Sequence, residues 1–319
     1  MNSGGRVAIL GGIRIPFARQ NTNYAAASNL DMLTATLKGV VERFRLEGRR
    51  LGEVAAGAVL KHTRDFNLTR DASLASGLAQ DELALASHTR GLQAYANGFY
   101  QGLVIPYLGL TQDNNLRADT SLHKLARLPP VFDRTSGLGT LTAGNSTPLT
   151  DGAAAVLLSS ERWALANRQT PEAWFVDAET AAVDYFGPSA EGLLMAPAYA
   201  VPRLLDRNGL TLQDFDYYQI HEAFTGQVLC TLAAWESDDF CRRTLGRSAA
   251  LGVIDRARLN INGGSVGLGH PFAATGAQIV GGAAKQLALH RQRTGRAGRT
   301  LVSICAAGGL GVTAILESA

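Results

Sequence analysis

One grammar occurs twice along this chain, and that repetition limits the folds open to it more than any single motif does. In the first half GRRLGEVAAGAVLK (48–61) leads out of a helical segment into a strand, and in the second GLTLQDFDYYQIHE (209–222) aligns on it without gaps. Gly209 falls on Gly48, Leu212 on Leu51, Phe215 on Val54 and Ile220 on Val59. Each half then closes on strand, glycine turn and strand, as GLGTLTAGNSTPLTDGAAAVLLSS (137–160) and as TLVSICAAGGLGVTAILES (300–318). Two matched blocks in the same order predict an internally duplicated α/β protein.

Local patterns fill in the elements. Arg6–Leu10 reads as a first strand, followed by a Gly11-Gly12 turn that Pro16 closes. Leu33, Leu37, Val40, Val41 and Phe44 recur at helical spacing and predict a helix over Asp31–Arg45. Val54–Leu60 reads as a buried strand and residues 62–79 as a polar loop. A helix opens at Gln80 with Leu85, Leu92 and Phe99 on one side, and without a capping Ser, Thr, Asn or Asp in front of it. Pro106, Pro129 and Pro130 mark 105–135 as an irregular connection. In the second half Ala198, Val201, Leu204 and Leu205 mark a helix. A Tyr217–Ile220 strand then hands over to a helix carrying Phe224, Val228, Leu232 and Trp235.

Composition excludes several classes. With 319 residues, 46% of them hydrophobic, the chain can bury the core of one or two domains. A net charge of +3 and the lack of a basic stripe interleaved with aromatics argue against nucleic acid, so Arg291, Arg293, Arg296 and Arg299 read as a solvated face. Cys230, Cys241 and Cys305 form no disulfide framework and no C-x-x-C pair, which suits a reducing compartment. The opening MNSGGRVAILGG resembles neither a signal peptide nor a membrane span, so a soluble, cytoplasmic protein is expected. No histidine pair has i, i+4 spacing, and neither glycine cluster forms G-x-G-x-x-G or a phosphate loop; no metal or dinucleotide site is expected.

The strongest chemical signal is LNINGGSVGLGHPFAATGA (259–277). Leu259–Ile261 reads as a short strand, the glycines let the backbone turn or approach a neighbour closely, and Pro271 fits the first turn of a helix. His270 then sits at a helix start, where free N–H groups suit an anion or a polarised oxygen. Cys305, in ICAAGG at a strand end, is equally readable as an inert buried cysteine or as a thiol activated by a nearby imidazole. His221 and Glu222 lie at the carboxyl end of a strand, where α/β proteins build their sites. Glu222 is open to two readings, a helix cap or a direct role. TAGNSTPLTDG (142–152) is either a ligand-facing turn or a plain hairpin turn, and Cys230 and Cys241 fall on no motif.

Taken together, HEAF (221–224), NINGGSVGLGHPFAATG (260–276), CAAGG (305–309) and TAGNSTPLTDGAAAVLL (142–158) resemble the thiolases, in order and over nearly the whole chain. HEAF and HTRDFNLTR (62–70) are similar to the 3-ketoacyl-CoA thiolases related to the thiolase subunit of trifunctional complexes. The resemblance implies a five-layered α-β-α-β-α fold of two similar halves. It implies an N-terminal half made of 1–79 and 134–160, a remnant of a covering loop domain at 80–133, and a C-terminal half at 161–319. It also implies acyl transfer in fatty-acid β-oxidation: thiolytic cleavage of a 3-ketoacyl-CoA to acetyl-CoA and a shortened acyl-CoA, or the reverse Claisen condensation. Coenzyme A would be a substrate, with no permanently bound cofactor or metal. The implied partners are a second copy of the chain, in a dimer or higher oligomer, and a hydratase/dehydrogenase subunit.

By motif match His270 would activate the nucleophilic cysteine and polarise the thioester oxygen, and Cys305 would move a proton at the substrate α-carbon. His221 would hold the water of one oxyanion hole, the Ala307 N–H would serve the other, and Ala143 and Thr147 would line the pantetheine arm. These groups imply that His221, His270 and Cys305 converge. One departure stands out. The family's nucleophile motif, similar to QACGTG, has no counterpart, and no cysteine lies between Ala79 and Thr142. The resemblance implies a shortfall on the order of a hundred residues between Ala79 and Gln80, a small domain's worth. Either two pieces of a longer native chain are joined there or the gene product lacks the segment, and the first half is incomplete without it. A catalytically inactive thiolase-like subunit or binding protein is therefore the alternative.

Overall fold

Strand β1 (Val7–Arg14) shows how the layers are arranged, because its alternate residues serve two different cores. Ala8 and Leu10 pack with Val40 and Phe44 of helix α1 (Asn29–Phe44), while Ile9 packs with Ile279, Ala283 and Leu287 of a long helix from the second half. The structure is a computed structural model that describes residues 5–47, 77–135, 139–186 and 192–319. The expected Val54–Leu60 strand and HTRDFNLTR lie outside the described residues, as does the whole 48–61 block of the repeat.

In chain order, β1 is followed by β2 (Ala18–Arg19), α1, α2 (Gly77–Ala96), α3 (Leu122–Leu125), β3 (Thr150–Asp151), β4 (Ala154–Ser160) and α4 (Glu161–Ala166). The second half runs β5 (Ala173–Ala182), α5 (Pro197–Asn208), β6 (Tyr217–Ile220), α6 (Thr225–Glu236), α7 (Asp238–Arg243), α8 (Ser265–Leu268), α9 (Ala273–Thr294), β7 (Arg299–Ala306) and β8 (Leu310–Ser318). Six strands join in one sheet of order β4-β1-β5-β8-β7-β6, and β2 pairs with β3 in a small second sheet. The β6–β7 pair is parallel and the other pairs of the large sheet are antiparallel. Helix α9 covers one face, and α1 and α5 share the other. The described residues thus show one α/β sheet with a helix layer on each face.

The helices form where pattern and caps agree. Ser28 caps α1, its Oγ accepting from the Asp31 N–H while Asp31 accepts from the Ser28 N–H, a reciprocal capping box. Helix α5 buries Val201, Leu204 and Leu205 against Tyr218, Ile220, Leu301 and Ile315. Each such aliphatic side chain is worth roughly 1.5–3 kcal/mol. The helix ends at Gly209, whose φ of 63° closes it in the left-handed region.

Four expectations are corrected. Gly11-Gly12 is not a turn: β1 continues to Arg14, with a register shift between Ile9 and Gly11. Gly12 is small because α9 passes close above it, and Gly11 (φ 138°) faces Arg43 and Glu172. Among the described residues, the first strand expected within 137–160 is reduced to an isolated bridge between Thr142 and Pro130. Leu259–Ile261 is likewise no strand, only a single bridge from Leu259 to Tyr218 after a 3₁₀ turn at Arg256–Arg258. Helix α2 starts at Gly77, ahead of Gln80, and runs unbroken across Ala79–Gln80. Its buried stripe is Ala84, Ser87, Gly91 and Ala94, while Leu85 and Leu92 are half-buried. Small residues fill that stripe because the glycine loop presses on it: a Cβ on Gly263 would lie 2.7 Å from the Gly91 Cα.

Candidate active site

Parallel pairing brings the candidate groups to one edge of the sheet. Tyr217–Ile220 of β6 runs beside Thr300–Ser303 of β7, and the ladder goes one step further, with the His221 N–H donating to Ser303 O at 2.9 Å. His221 therefore leaves the carboxyl end of β6 on the same edge where β7 ends in Cys305 and Ala306. The glycine loop supplies the third group. It folds into the single turn α8, after which Gly269 (φ 108°) swings the chain so that His270 lies between α8 and α9. Pro271 is outside both helices, ahead of Phe272, so the expectation that it opens a first helical turn is also corrected.

The imidazoles of His221 and His270 meet with ring centroids 4.2 Å apart. His221 is buried, with Nδ1 2.8 Å from Ser265 Oγ, and His270 has Nδ1 2.8 Å from Thr275 Oγ1. Each ring thus has one nitrogen held by a hydroxyl, leaving Nε2 as its remaining polar atom. Burial, with the facing His270 as a smaller cause, pulls His221 well below the usual imidazole range. Burial alone pulls His270 down to about 4. Both rings are therefore neutral at physiological pH. A neutral N–H can donate to an oxygen that gains charge, and a neutral nitrogen can take a thiol proton.

Cys305 is buried, with its Sγ donating to Gln227 Oε1 at 3.4 Å, in one packed cluster with Leu193, Leu194, Ala223 and Phe224. Burial pushes its thiol up to about 12, and the backbone amides of Cys305 and Ala223 only partly offset that. It is a protonated thiol, suited to giving a proton. Ala307 is exposed in the turn between β7 and β8.

TAGNSTP comes from the first half and is sewn onto HEAF. Thr147 N–H donates to Ala223 O at 3.1 Å, Thr225 N–H donates to Asn145 O at 3.0 Å, and Ser146 bridges to Phe224. Ala143 is exposed and Thr147 half-buried on this seam. From β3, Thr150 Oγ1 accepts the His270 N–H at 3.2 Å. Of the two readings open for TAGNSTPLTDG, the plain hairpin turn is not supported, since no strand precedes the loop among the described residues.

Ser265, Thr275, Thr150 and Gln227 are partners that sequence reasoning did not single out. Ser265 and Thr275 lie inside the glycine-loop motif, but a hydroxyl gives no sign of its partner until the loop is folded. Glu222 is buried and accepts from the Val266 N–H at 3.2 Å, within α8; α6, the helix that follows it in the chain, has Phe224 at its N-cap and no side-chain cap bond, so the expected cap on that helix is not formed. Cys230 and Cys241 are buried in α6 and α7. No group of three or more His, Cys, Asp or Glu side chains that could hold a metal occurs among the described residues, and no described helix is long and apolar enough to cross a membrane.

An α/β sheet with a histidine pair and a thiol at one edge is the arrangement that comparison with known proteins places in a family. The thiolase N-terminal domain matches residues 7–80 and 76–162, in two pieces that overlap over residues 76–80, and the thiolase C-terminal domain matches residues 170–318. The chain belongs to the thiolase family. Among its relatives, the 3-ketoacyl-CoA thiolase of Pectobacterium carotovorum (strain PC1) is 42% identical over 276 residues, covering 85% of this chain and 58% of the relative. That of Yersinia pestis (strain Pestoides F) is 43% identical over the same length and shares. The chain thus spans less than two thirds of the length of these relatives. The crystal structure of the Bacillus anthracis acetyl-CoA acetyltransferase superposes over 100% of both chains, with a TM-score of 0.68 at 22% identity, which shows a shared fold.

Proposed function

We propose that this site cleaves 3-ketoacyl-CoA thioesters by thiolysis, yielding acetyl-CoA and an acyl-CoA two carbons shorter, as in fatty-acid β-oxidation. The observation that carries the reading is the His221–His270 pair, two neutral imidazoles with centroids 4.2 Å apart. Relatives named 3-ketoacyl-CoA thiolase support the substrate class. Residues 1–79 with 134–160 and residues 161–319 act as the two halves, with 80–133 as the remnant of a covering domain. Ala143 and Thr147 line the pantetheine arm, and the Ala307 N–H serves an oxyanion. The protein works as a homodimer or higher oligomer in the cytoplasm, with a hydratase/dehydrogenase subunit as a further partner.

The chain's three cysteines are all buried, and neither Cys230 nor Cys241 lies among the site groups. The sulfur that adds to the substrate is then that of coenzyme A itself. His270 Nε2 takes the proton from the coenzyme A thiol, and the thiolate adds to the C3 carbonyl carbon. The C2–C3 bond breaks, and its electron pair passes to C2 as the enolate of acetyl-CoA. The enolate oxygen accepts a hydrogen bond from His221, through Nε2 or a water held there. Cys305 delivers its proton to C2 and is reprotonated from His270.

Incubation with coenzyme A and a 3-ketoacyl-CoA, with products read by mass spectrometry, tests this. The expected result is acetyl-CoA formation with intersecting double-reciprocal plots, no acyl-enzyme, and losses of about 10²-fold or more in His270→Ala and Cys305→Ala. Tight acyl-CoA binding without any acetyl-CoA would replace this reading with that of an inactive binding subunit.

A further inference from the structure

Behind the glycine loop lies a fully buried carboxylate whose hydrogen-bond partners are all neutral. Glu222 Oε1 accepts from Asn260 Nδ2 at 2.6 Å, and Oε2 accepts from Ser87 Oγ at 2.7 Å and from the Val266 N–H at 3.2 Å. Ser87, on α2, spends its proton on Glu222, so its lone pairs are free for the loop, and Oγ accepts from the Gly264 N–H at 3.1 Å and the Gly267 N–H at 3.0 Å. Asn260 anchors the set to β6, bonding both the N–H and the carbonyl of Ile220. Nothing larger than glycine fits at 264, where a Cβ would lie 2.1 Å from the Glu222 Cδ. Arg90, whose guanidinium donates to the carbonyls of Leu259 and Arg256, is the charged group acting on Glu222 from outside.

The pattern of bonds points past simple stability. The N–H groups of residues 264, 266 and 267 are all held by Glu222 or Ser87, and the residue they bracket is Ser265. Its hydroxyl meets Nδ1 of His221, the residue next to Glu222 in sequence. With the peptide planes around Ser265 fixed, that hydroxyl has one place to go, and the imidazole it touches keeps its proton on one nitrogen. We infer that Glu222 and Ser87 are positioning residues for His221, acting through Ser265 to set the ring's orientation and tautomer. The inference rests on the proposed use of His221 in thiolysis, but its geometry is testable without turnover.

The test is the imidazole ¹⁵N spectrum of histidine-labelled protein, followed through a pH titration. The parent should show His221 as a single neutral tautomer. Ser87→Ala frees two loop amides and takes a donor from the carboxylate, while Glu222→Gln turns one acceptor into a donor facing other donors. Both should average the His221 nitrogens between tautomers and raise its titration midpoint by about one unit or more. Ser265→Ala, which removes the contact itself, should do the same, and Ser87→Thr, which keeps the hydroxyl, should restore the parent spectrum. A lowered melting temperature in Ser87→Ala and Glu222→Gln with unchanged His221 nitrogens would overturn the inference. If Ser87→Ala does not fold, Glu222→Gln and Ser265→Ala decide the matter by the same readout. Turnover of a 3-ketoacyl-CoA is measured on the same samples. A parent that shows the single tautomer and yields no acetyl-CoA would sink the thiolase reading and leave the positioning role standing.

Discussion

Gly12 and Gly281 face each other so closely that a Cβ on Gly12 would lie 2.8 Å from the Gly281 Cα, and one on Gly281 would lie 3.0 Å from the Gly12 Cα. One residue belongs to β1 and the other to α9, so the two halves of the chain touch backbone to backbone at this point.

Neighbouring glycines of α9 should therefore respond in opposite directions. Gly281→Ala forces β1 and α9 apart and should destabilise by about 1–3 kcal/mol. Gly282 has open space where its Cβ would be, so Gly282→Ala should stabilise by about 0.5–1 kcal/mol through helix propensity alone. Urea unfolding of the two variants beside the parent gives both signs, and destabilisation by both would contradict the close-approach argument.

Arg14 and Asp113 form a buried bidentate pair at 2.6 and 2.8 Å, and Asp113 also accepts from the Phe17 N–H and Tyr95 OH. Asp113→Asn leaves the Arg14 guanidinium buried without its counter-charge and should cost about 3–5 kcal/mol. Exchanging the pair for Met and Asn together should cost less than Asp113→Asn alone, a comparison that denaturant melts can make directly.

Burial holds His88 and His270 each at about 4, below the ordinary imidazole value near 6.5. The unfolded chain then binds more protons as the solution becomes acidic. Stability present above about pH 6.5 is lost as pH falls toward about 4, by about 2 kcal/mol for each histidine between pH 7.5 and 5. His88→Gln should flatten part of that slope in unfolding measured at the two pH values. An equal slope in parent and variant would remove His88 from the account.

Burial pushes the thiols of Cys230 and Cys305 up to about 12. At pH 8 the thiolate fraction is then roughly a thousand-fold below that of an ordinary cysteine, and iodoacetamide labelling should slow at least in proportion. Quenched alkylation with peptide mass spectrometry reads both sites separately. Rapid labelling of Cys305 in the native protein would contradict its role as a protonated donor.

Much of the fold was legible where a period or a cap acts locally. The α1 pattern, the α5 stripe of Val201, Leu204 and Leu205, and the β7–turn–β8 unit each follow from a few neighbouring residues. What stayed hidden depends on long-range approach. Gly11-Gly12 looks like a turn until α9 is laid across Gly12, and the α2 stripe through Ser87 and Gly91 looks weak until the glycine loop presses on it. The same holds at the site. His221 and His270 stand out in their motifs, yet the hydroxyls of Ser265 and Thr275 that hold them are ordinary residues until the loop closes.

The strand order carries a consequence for the timing of folding. β8 follows all the other strands in the chain, yet it lies inside the sheet between β5 and β7. As the chain leaves the ribosome, β4, β1 and β5 can pair, and β6 can meet β7, but the two groups have no shared edge until β8 emerges. During that interval β5 and β7 each present an open edge, the kind of surface on which aggregation starts. The edge that carries His221 and Cys305 is joined to the rest of the sheet by this late insertion. Assembly of the site therefore waits on β8, and a chain stalled before β8 would hold every residue named in the site without having a site.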